Sequence, residues 1–99
     1  MTHYTIGFVT PTSTDWIERY TTSVGPIVAR HGGAYAVRTA GHERLEGDID
    51  AALVVVIEWP SKEAETAFFA DPEYAPHRAD RQAGSMTTLY SVPRQDDLA

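Results

Sequence analysis

The segment Ala52–Trp59 limits what this chain can fold into more than any other stretch. It reads as a β-strand, with the β-branched run Val54-Val55-Val56-Ile57 at its centre. Side chains alternate between the two faces of a strand, so Leu53, Val55, Ile57 and Trp59 fall on one side and Val54 and Val56 on the other. Both sides are apolar, whereas an antiparallel strand with one wet face alternates apolar with polar. Something must therefore cover each face. Either loops shield a fully buried central strand, or two copies pack sheet against sheet around a two-fold axis. We expect the second arrangement, a homodimer.

Length supports that expectation. Ninety-nine residues make one domain with a small core. The chain has no cysteine, hence no disulfide framework, thiol catalysis or Cys-ligated metal centre. Oligomerisation is the remaining common route to stability for so small a domain.

The other elements follow from periodicity. Tyr4–Val9 alternates as a first strand. Pro11-Thr12-Ser13 ends it and offers a hydroxyl cap for a helix carrying Trp16, Ile17, Tyr20, Val24, Ile27 and Val28 at helical spacing. Gly25-Pro26 predicts a kink in that helix, and Gly32-Gly33 its end. Ala34–Thr39 reads as the second strand and residues 40–50 as a polar loop. After the third strand, Pro60-Ser61 caps a short helix expected to bury Ala64, Ala67 and Phe68. Asp71-Pro72 stops it, since the residue before proline disfavours helix. A turn or two of helix to about Gln82 and a last strand, Met86–Val92, complete the chain. The order βαββαβ predicts an α+β, ferredoxin-like fold with a four-stranded antiparallel sheet and both helical segments on one face. Residues 1–93 form the expected domain, and 94–99 an expected frayed tail.

Charge narrows the function. A net charge of −6 argues against nucleic-acid or anionic-membrane partners. The basic patch at Arg78 and Arg81 remains as a place for one small anion. The N-terminus lacks a signal-peptide pattern, and the longest apolar run, Ala51–Ile57, is too short to span a bilayer, so a cytoplasmic location is expected.

Several segments, taken in order, resemble a known family. They are Arg30-His31-Gly32-Gly33-Ala34-Tyr35, Val37-Arg38, Leu45-Glu46-Gly47, Val55-Val56-Ile57-Glu58-Trp59-Pro60-Ser61 and Asp71-Pro72-Glu73-Tyr74. The chain thus looks like the family catalogued as domain of unknown function 1330, within the dimeric α/β-barrel (ferredoxin-like) superfamily. The resemblance implies a barrel-like dimer with a small pocket between helices and sheet in each subunit. Relatives in that superfamily include cofactor-independent monooxygenases, isomerases and cyclases of aromatic or polyketide compounds, haem-handling enzymes and plain binding proteins. Pro76, just after Tyr74, departs from the expected pattern and leaves the directions of His77, Arg78 and Arg81 open.

Candidate site residues follow from residue type. His31, in the last turn of the first helix, suits general acid–base work; its alternative is a helix-end residue favoured by the dipole. Arg38 is expected to share a face with Ala34 and Ala36, which leaves room for a carboxylate or enolate beside it. Glu58 on the neighbouring strand either joins that site or pairs with Arg38. Glu46 sits before Gly47 in a loop and is a proton acceptor if the loop folds over a pocket, or a salt-bridge partner if it does not. Tyr74, Arg78 and Arg81 recur at helical spacing and line either an anion-binding face or a solvated one. Tyr35 belongs to an aromatic set, with Tyr4, Tyr20, Trp16 and Trp59, that mostly builds the core.

The histidines His3, His31, His42 and His77 show no ligand spacing, and Glu73 and His77 are separated by Pro76, so no metal site is expected. No glycine-rich phosphate loop or serine triad is present. The expected function is a small-molecule enzyme without a tightly bound cofactor. It would act by proton transfer, as an isomerase, cyclase or cofactor-free oxygenase, on a compact oxygenated or aromatic metabolite. His31, Arg38 and Glu46 would be the catalytic residues, and Tyr35, Glu58, Tyr74, Arg78 and Arg81 the substrate-binding ones. The alternative is a non-catalytic metabolite-binding or auxiliary dimer; haem handling through His31 or His77 is a third reading.

Overall fold

The computed structural model describes residues 1–99. Strand β1 spans His3–Pro11, helix α1 Ile17–Arg30, β2 Ala34–Thr39, β3 Leu53–Trp59, α2 Lys62–Phe69, α3 Ala75–Gly84 and β4 Ser85–Pro93. The four strands form one antiparallel sheet in the order β2-β3-β1-β4, the ferredoxin-like arrangement. The shortest molecular extent, 18 Å, is that of one helical layer on one sheet.

Helix boundaries follow local chemistry. Ser61 caps α2, its hydroxyl accepting from the Ala64 amide at 3.1 Å. Gly32, with φ of 80°, takes the left-handed conformation that ends α1. Asp71-Pro72 separates α2 from α3, and Pro76 is accommodated in the first turn of α3, where a missing N–H costs nothing. One expectation about the helix ends needs correction. The cap of α1 is Trp16, whose side chain makes no capping bond; the amides of Thr12 and Ser13 instead reach the Gly84 carbonyl. Gly25-Pro26 interrupts the helical pattern without stopping the helix, which runs on to Arg30.

Strand register assigns every side chain to a face. His3, Thr5, Gly7 and Val9 of β1 lie opposite Trp59, Ile57, Val55 and Leu53 of β3, beneath the helices. Val24, Ile27 and Val28 of α1, Phe68 of α2 and Tyr74 pack there on Ile57 and Trp59 as the core. On α2 the inward position expected for Ala67 belongs to Glu65, which is buried, while Ala67 is exposed.

The opposite face carries Tyr4, Ile6 and Phe8 of β1, Val54 and Val56 of β3, and Met86, Tyr90 and Val92 of β4. The more apolar side of β1 thus faces away from the helices. Met86 is 71% exposed and Tyr90 59%. The loop between β2 and β3 overhangs one end of this face, forming a cleft with Phe8 and Val54, and presents Leu45 and Ile49 to solvent.

β2 contains an irregularity that sequence periodicity did not predict. Its pairing with β3 shifts between Tyr35 and Val37, leaving Ala36 as an extra residue. Tyr35 lies opposite Ile57, and Arg38 opposite Val55, so both point to the helix side. In a regular strand they would diverge. Arg38 therefore does not share a face with Ala34 as expected; it joins Tyr35.

Candidate functional site

Between the helices and the sheet lies a cavity of about 130 Å³. Its floor is Thr5, Gly7 and Val9 of β1 with Leu53, Val55 and Ile57 of β3; Trp16, Ile17, Tyr20, Phe68 and Phe69 form walls. Gly7 keeps the floor low, because a Cβ there would come within 2.9 Å of the Leu89 side chain. The volume suits a single substituted ring more than an extended ligand.

The phenols and guanidinium groups entering this space come from three elements. Tyr20 of α1 and Tyr74, at the start of α3, place their hydroxyls 2.9 Å apart. Arg81, two turns along α3, donates to the Tyr74 hydroxyl at 3.4 Å. From β2, the Arg38 guanidinium lies 4.2 Å from the centre of the Tyr35 ring. Burial, followed by the adjacent Tyr74 phenol, pushes the Tyr20 hydroxyl far above its ordinary pKa. Burial likewise raises Tyr35, with Arg38 opposing. Burial disfavours the Arg81 charge, but the Tyr74 and Tyr20 oxygens more than offset this and hold its guanidinium above its usual value. At neutral pH the cavity thus presents the Tyr20 and Tyr35 phenols in neutral form beside the Arg81 cation. No aspartate, glutamate or histidine lines it.

Arg81 is the unusual member. It is 6% exposed, and no carboxylate lies within ion-pairing distance of it. An unpaired buried charge is costly unless something compensates it. The same is true of pairing around Arg38: neither cavity arginine has a carboxylate partner, in a chain with 14 acidic residues.

A buried carboxylate, Glu65, is bonded to the floor from behind. Thr5 lines the cavity, and its hydroxyl donates to one oxygen of Glu65 while accepting from the Trp59 indole N–H at 2.9 Å. The other Glu65 oxygen accepts from the Ser91 hydroxyl at 2.5 Å, and His3 Nε2 lies 2.6 Å from Ser91 Oγ. Because Ser91 spends its proton on Glu65, His3 is the donor to Ser91. Glu65 itself is 4% exposed. This chain of hydrogen bonds runs from the cavity floor, beneath α2, to exposed Ser91 on β4.

The sequence-predicted residues divide into three groups. Arg38, Tyr35, Tyr74 and Arg81 converge on the cavity. Arg78 stands at its mouth, over the Phe69 ring at 5.2 Å. His31, Glu46 and Glu58 lie elsewhere. His31 Nε2 meets Asp71 at 2.7 Å, and Arg30 reaches the same oxygen at 2.6 Å, joining the end of α1 to the α2–α3 turn. Those two partners, His31 first, with the Glu73 amide, hold the Asp71 carboxyl well below its usual range. Glu46 lies in the loop that overhangs the open sheet face. Glu58 is exposed on that same face, across the sheet from Arg38, so the two do not pair.

Four participants escaped sequence reasoning: Thr5, Glu65, Ser91 and His3. A signal for Glu65 existed, since residues 61, 64, 65 and 68 share one helical face. For His3, Thr5 and Ser91 it did not, because alternation separates the two faces of a strand without saying which one turns toward the helices. No three His, Asp or Glu residues cluster as a metal cage.

Comparison with known proteins agrees with this architecture. The family described as "Domain of unknown function (DUF1330)" matches residues 2–94. The chain belongs to this family. No curated protein matches. Among solved structures, the RPA0582 protein of unknown function from Rhodopseudomonas palustris is 21% identical with a TM-score of 0.76, covering 96% of this chain and 84% of that one. SnoaB, a cofactor-independent oxygenase from Streptomyces nogalater, is 20% identical with a TM-score of 0.70, covering 98% and 96%. A dabb family protein with a ferredoxin-like fold from Mesorhizobium loti is 13% identical with a TM-score of 0.62, covering 96% and 98%. At these identities the likeness extends to the fold of this DUF1330 chain. No helix is long and apolar enough to cross a membrane.

Proposed function

We propose that this chain is a homodimeric enzyme that loosens a proton from a compact, oxygenated aromatic or unsaturated metabolite and stabilises the resulting enolate or phenolate. One observation carries the reading: Arg81 is a buried cation without a carboxylate partner, facing an apolar, aromatic-walled cavity beside the Tyr74 hydroxyl. A group that develops negative charge on oxygen would supply the missing partner, and its ring would fill the apolar space.

In this reading the substrate oxygen faces Arg81 and Tyr74, and Arg38 adds positive potential from the β2 side. The substrate C–H proton passes to the Thr5 hydroxyl as the Thr5 proton moves to Glu65. The C–H electron pair becomes the new C=C bond, and the carbonyl π pair moves onto oxygen. Ser91 and His3 stabilise the second oxygen of Glu65 and connect it to the surface. An enolate is the shared intermediate of isomerisation, of ring-closing condensation and of cofactor-free oxygenation with dioxygen as co-reactant. The last is the type of activity stated for SnoaB.

The dimer belongs to the same proposal. The open sheet face, with Ile6, Phe8, Val54, Val56 and Val92, meets the same face of a second copy, and the loop bearing Leu45 and Ile49 reaches over the partner. The cavity lies on the other side of the sheet and stays accessible.

The alternative, a metabolite-binding dimer, is favoured by the absence of any carboxylate or imidazole among the cavity-lining residues. Solvent-deuterium exchange at the benzylic carbon of phenylacetone, followed by proton NMR, separates the two. Exchange above the buffer rate, lost in Thr5→Val and Glu65→Gln, supports catalysis through the floor. Exchange at the buffer rate, with 4-methyl-2-nitrophenol still bound as its phenolate, supports the binding reading instead.

A further inference from the structure

We propose that the cleft between α3 and β4, at the mouth of the cavity, binds a carboxylate carried by the same ligand whose ring occupies the cavity. This rests on the proposed function and specifies its substrate class as an aromatic or unsaturated acid.

The cleft measures about 270 Å³ and is lined by Arg78, Arg81, Gln82, Ser85, Thr87 and Leu89. Arg81 and Leu89 also line the ring cavity, so the two spaces adjoin across these side chains. The Arg78 guanidinium carbon lies 5.2 Å from the centre of the ring of Phe69, itself a cavity wall. Arg78 Nε is buried without a hydrogen-bond partner, and no carboxylate of the chain lies within ion-pairing distance of this side chain. Asp80, two residues along the helix, lines a different cleft with Ser13, Asp15 and Arg19. A nearby acid is therefore turned away from this spot.

The remaining groups narrow the ligand. Ser85 donates its proton to the Arg81 carbonyl at 2.5 Å, so Thr87 donates to Ser85 at 2.6 Å, and both hydroxyl protons are committed. The donors left are the guanidinium N–H groups and the exposed Gln82 amide. Arg81 already engages the Tyr74 hydroxyl. One planar fork, Arg78, with an amide beside it matches a singly charged, planar carboxylate. Ser85, Thr87 and Leu89 alternate along β4 with Met86, Thr88 and Tyr90, so the cleft opens on the helix side and remains free in a sheet-to-sheet dimer.

Two probes sharing one chromophore test this on the intact protein: 4-hydroxy-3-nitrophenylacetate and its uncharged counterpart 4-methyl-2-nitrophenol. Binding is read by quenching of tryptophan fluorescence, since Trp16 lines the cavity. The wild type should bind the acid about ten- to a hundredfold more tightly than the methyl compound, as a charge-assisted hydrogen bond warrants. Arg78→Met keeps an apolar stem on Phe69 and should erase that preference while leaving the methyl compound's affinity unchanged; Arg78→Lys should restore part of it. Equal affinities in the wild type, or a preference that survives Arg78→Met, would overturn the carboxylate site and leave the cavity reading standing. Failure of both probes to bind would overturn the cavity reading, and the carboxylate site with it.

Discussion

Arg81→Met should weaken ligand binding and make the free protein more stable. The structure supplies both signs. On the folding side, the substitution removes a buried cation that no carboxylate neutralises. Replacing even a buried ion pair by well-packed apolar groups is neutral or stabilising by about 1–4 kcal/mol, and a buried charge with no ionic partner lacks the attraction that offsets its desolvation in such a pair. Against that stand the Tyr74 and Tyr20 oxygens, which favour the cation, and one hydrogen bond to Tyr74, long at 3.4 Å and worth about 0.5 kcal/mol at the low end of the usual range. Tyr74 keeps Tyr20 as a partner at 2.9 Å. Methionine preserves most of the stem that packs in the cavity. The balance is a gain of about 1 kcal/mol, or roughly 4–8 °C in Tm for a domain of this size. On the binding side, loss of a charged donor should weaken 4-methyl-2-nitrophenolate by about ten- to a hundredfold. Thermal unfolding at fixed protein concentration and fluorescence titration measure the two effects. A variant that melts about 4–8 °C below the wild type would refute the reasoning: Arg81 would then be compensated within the fold and serve the structure.

Three further outcomes follow from the packing and the charges. Val56→Lys, in the middle of the open sheet face, should yield the mass of one chain by light scattering at micromolar concentration; a dimeric mass would remove that face as the interface. Gly33→Ala would bring a Cβ within 2.6 Å of the Trp59 ring and 2.8 Å of Val28, so the urea midpoint should fall by the equivalent of about 1–3 kcal/mol, and an unchanged midpoint would contradict this packing. The Asp71 carboxyl, held below its ordinary value of 3.8 by His31 and Arg30, contributes stability that is fully present above that pH and is lost as pH falls toward its folded-state value. The Tm gap between wild type and Asp71→Asn should accordingly be wide at pH 7 and narrow below about pH 4; a gap independent of pH would refute the linkage.

Much of this protein was legible in the one-dimensional pattern. Alternation in β1 and β3, helical spacing from Ile17 to Val28, and the breaks at Gly32 and Asp71-Pro72 define the βαββαβ order, because secondary structure and chain reversal depend on local periodicity and local backbone preference. The doubly apolar β3 likewise announced a sheet with apolar side chains on both faces, since alternation assigns Val54 and Val56 to the side opposite Val55 and Ile57. Half of the site was legible too, as Tyr74 and Arg81 share a helical face and enter the cavity together. Tertiary structure alone decided the rest. A single extra residue at Ala36 turned Arg38 from the side of Ala34 to that of Tyr35, and a bulge of that kind leaves no mark in composition. The pairing of β1 with β3 and β4 chose which side of β1 faces the helices, sending Ile6 and Phe8 outward and Thr5 inward to Glu65. His31 and Glu46 carry side chains fit for acid–base work, yet one braces a helix end against Asp71 and the other sits beyond the opposite face of the sheet. Residue type states what a side chain is able to do; long-range packing, which brings positions 5, 65 and 91 into one hydrogen-bonded line, states where it can do it.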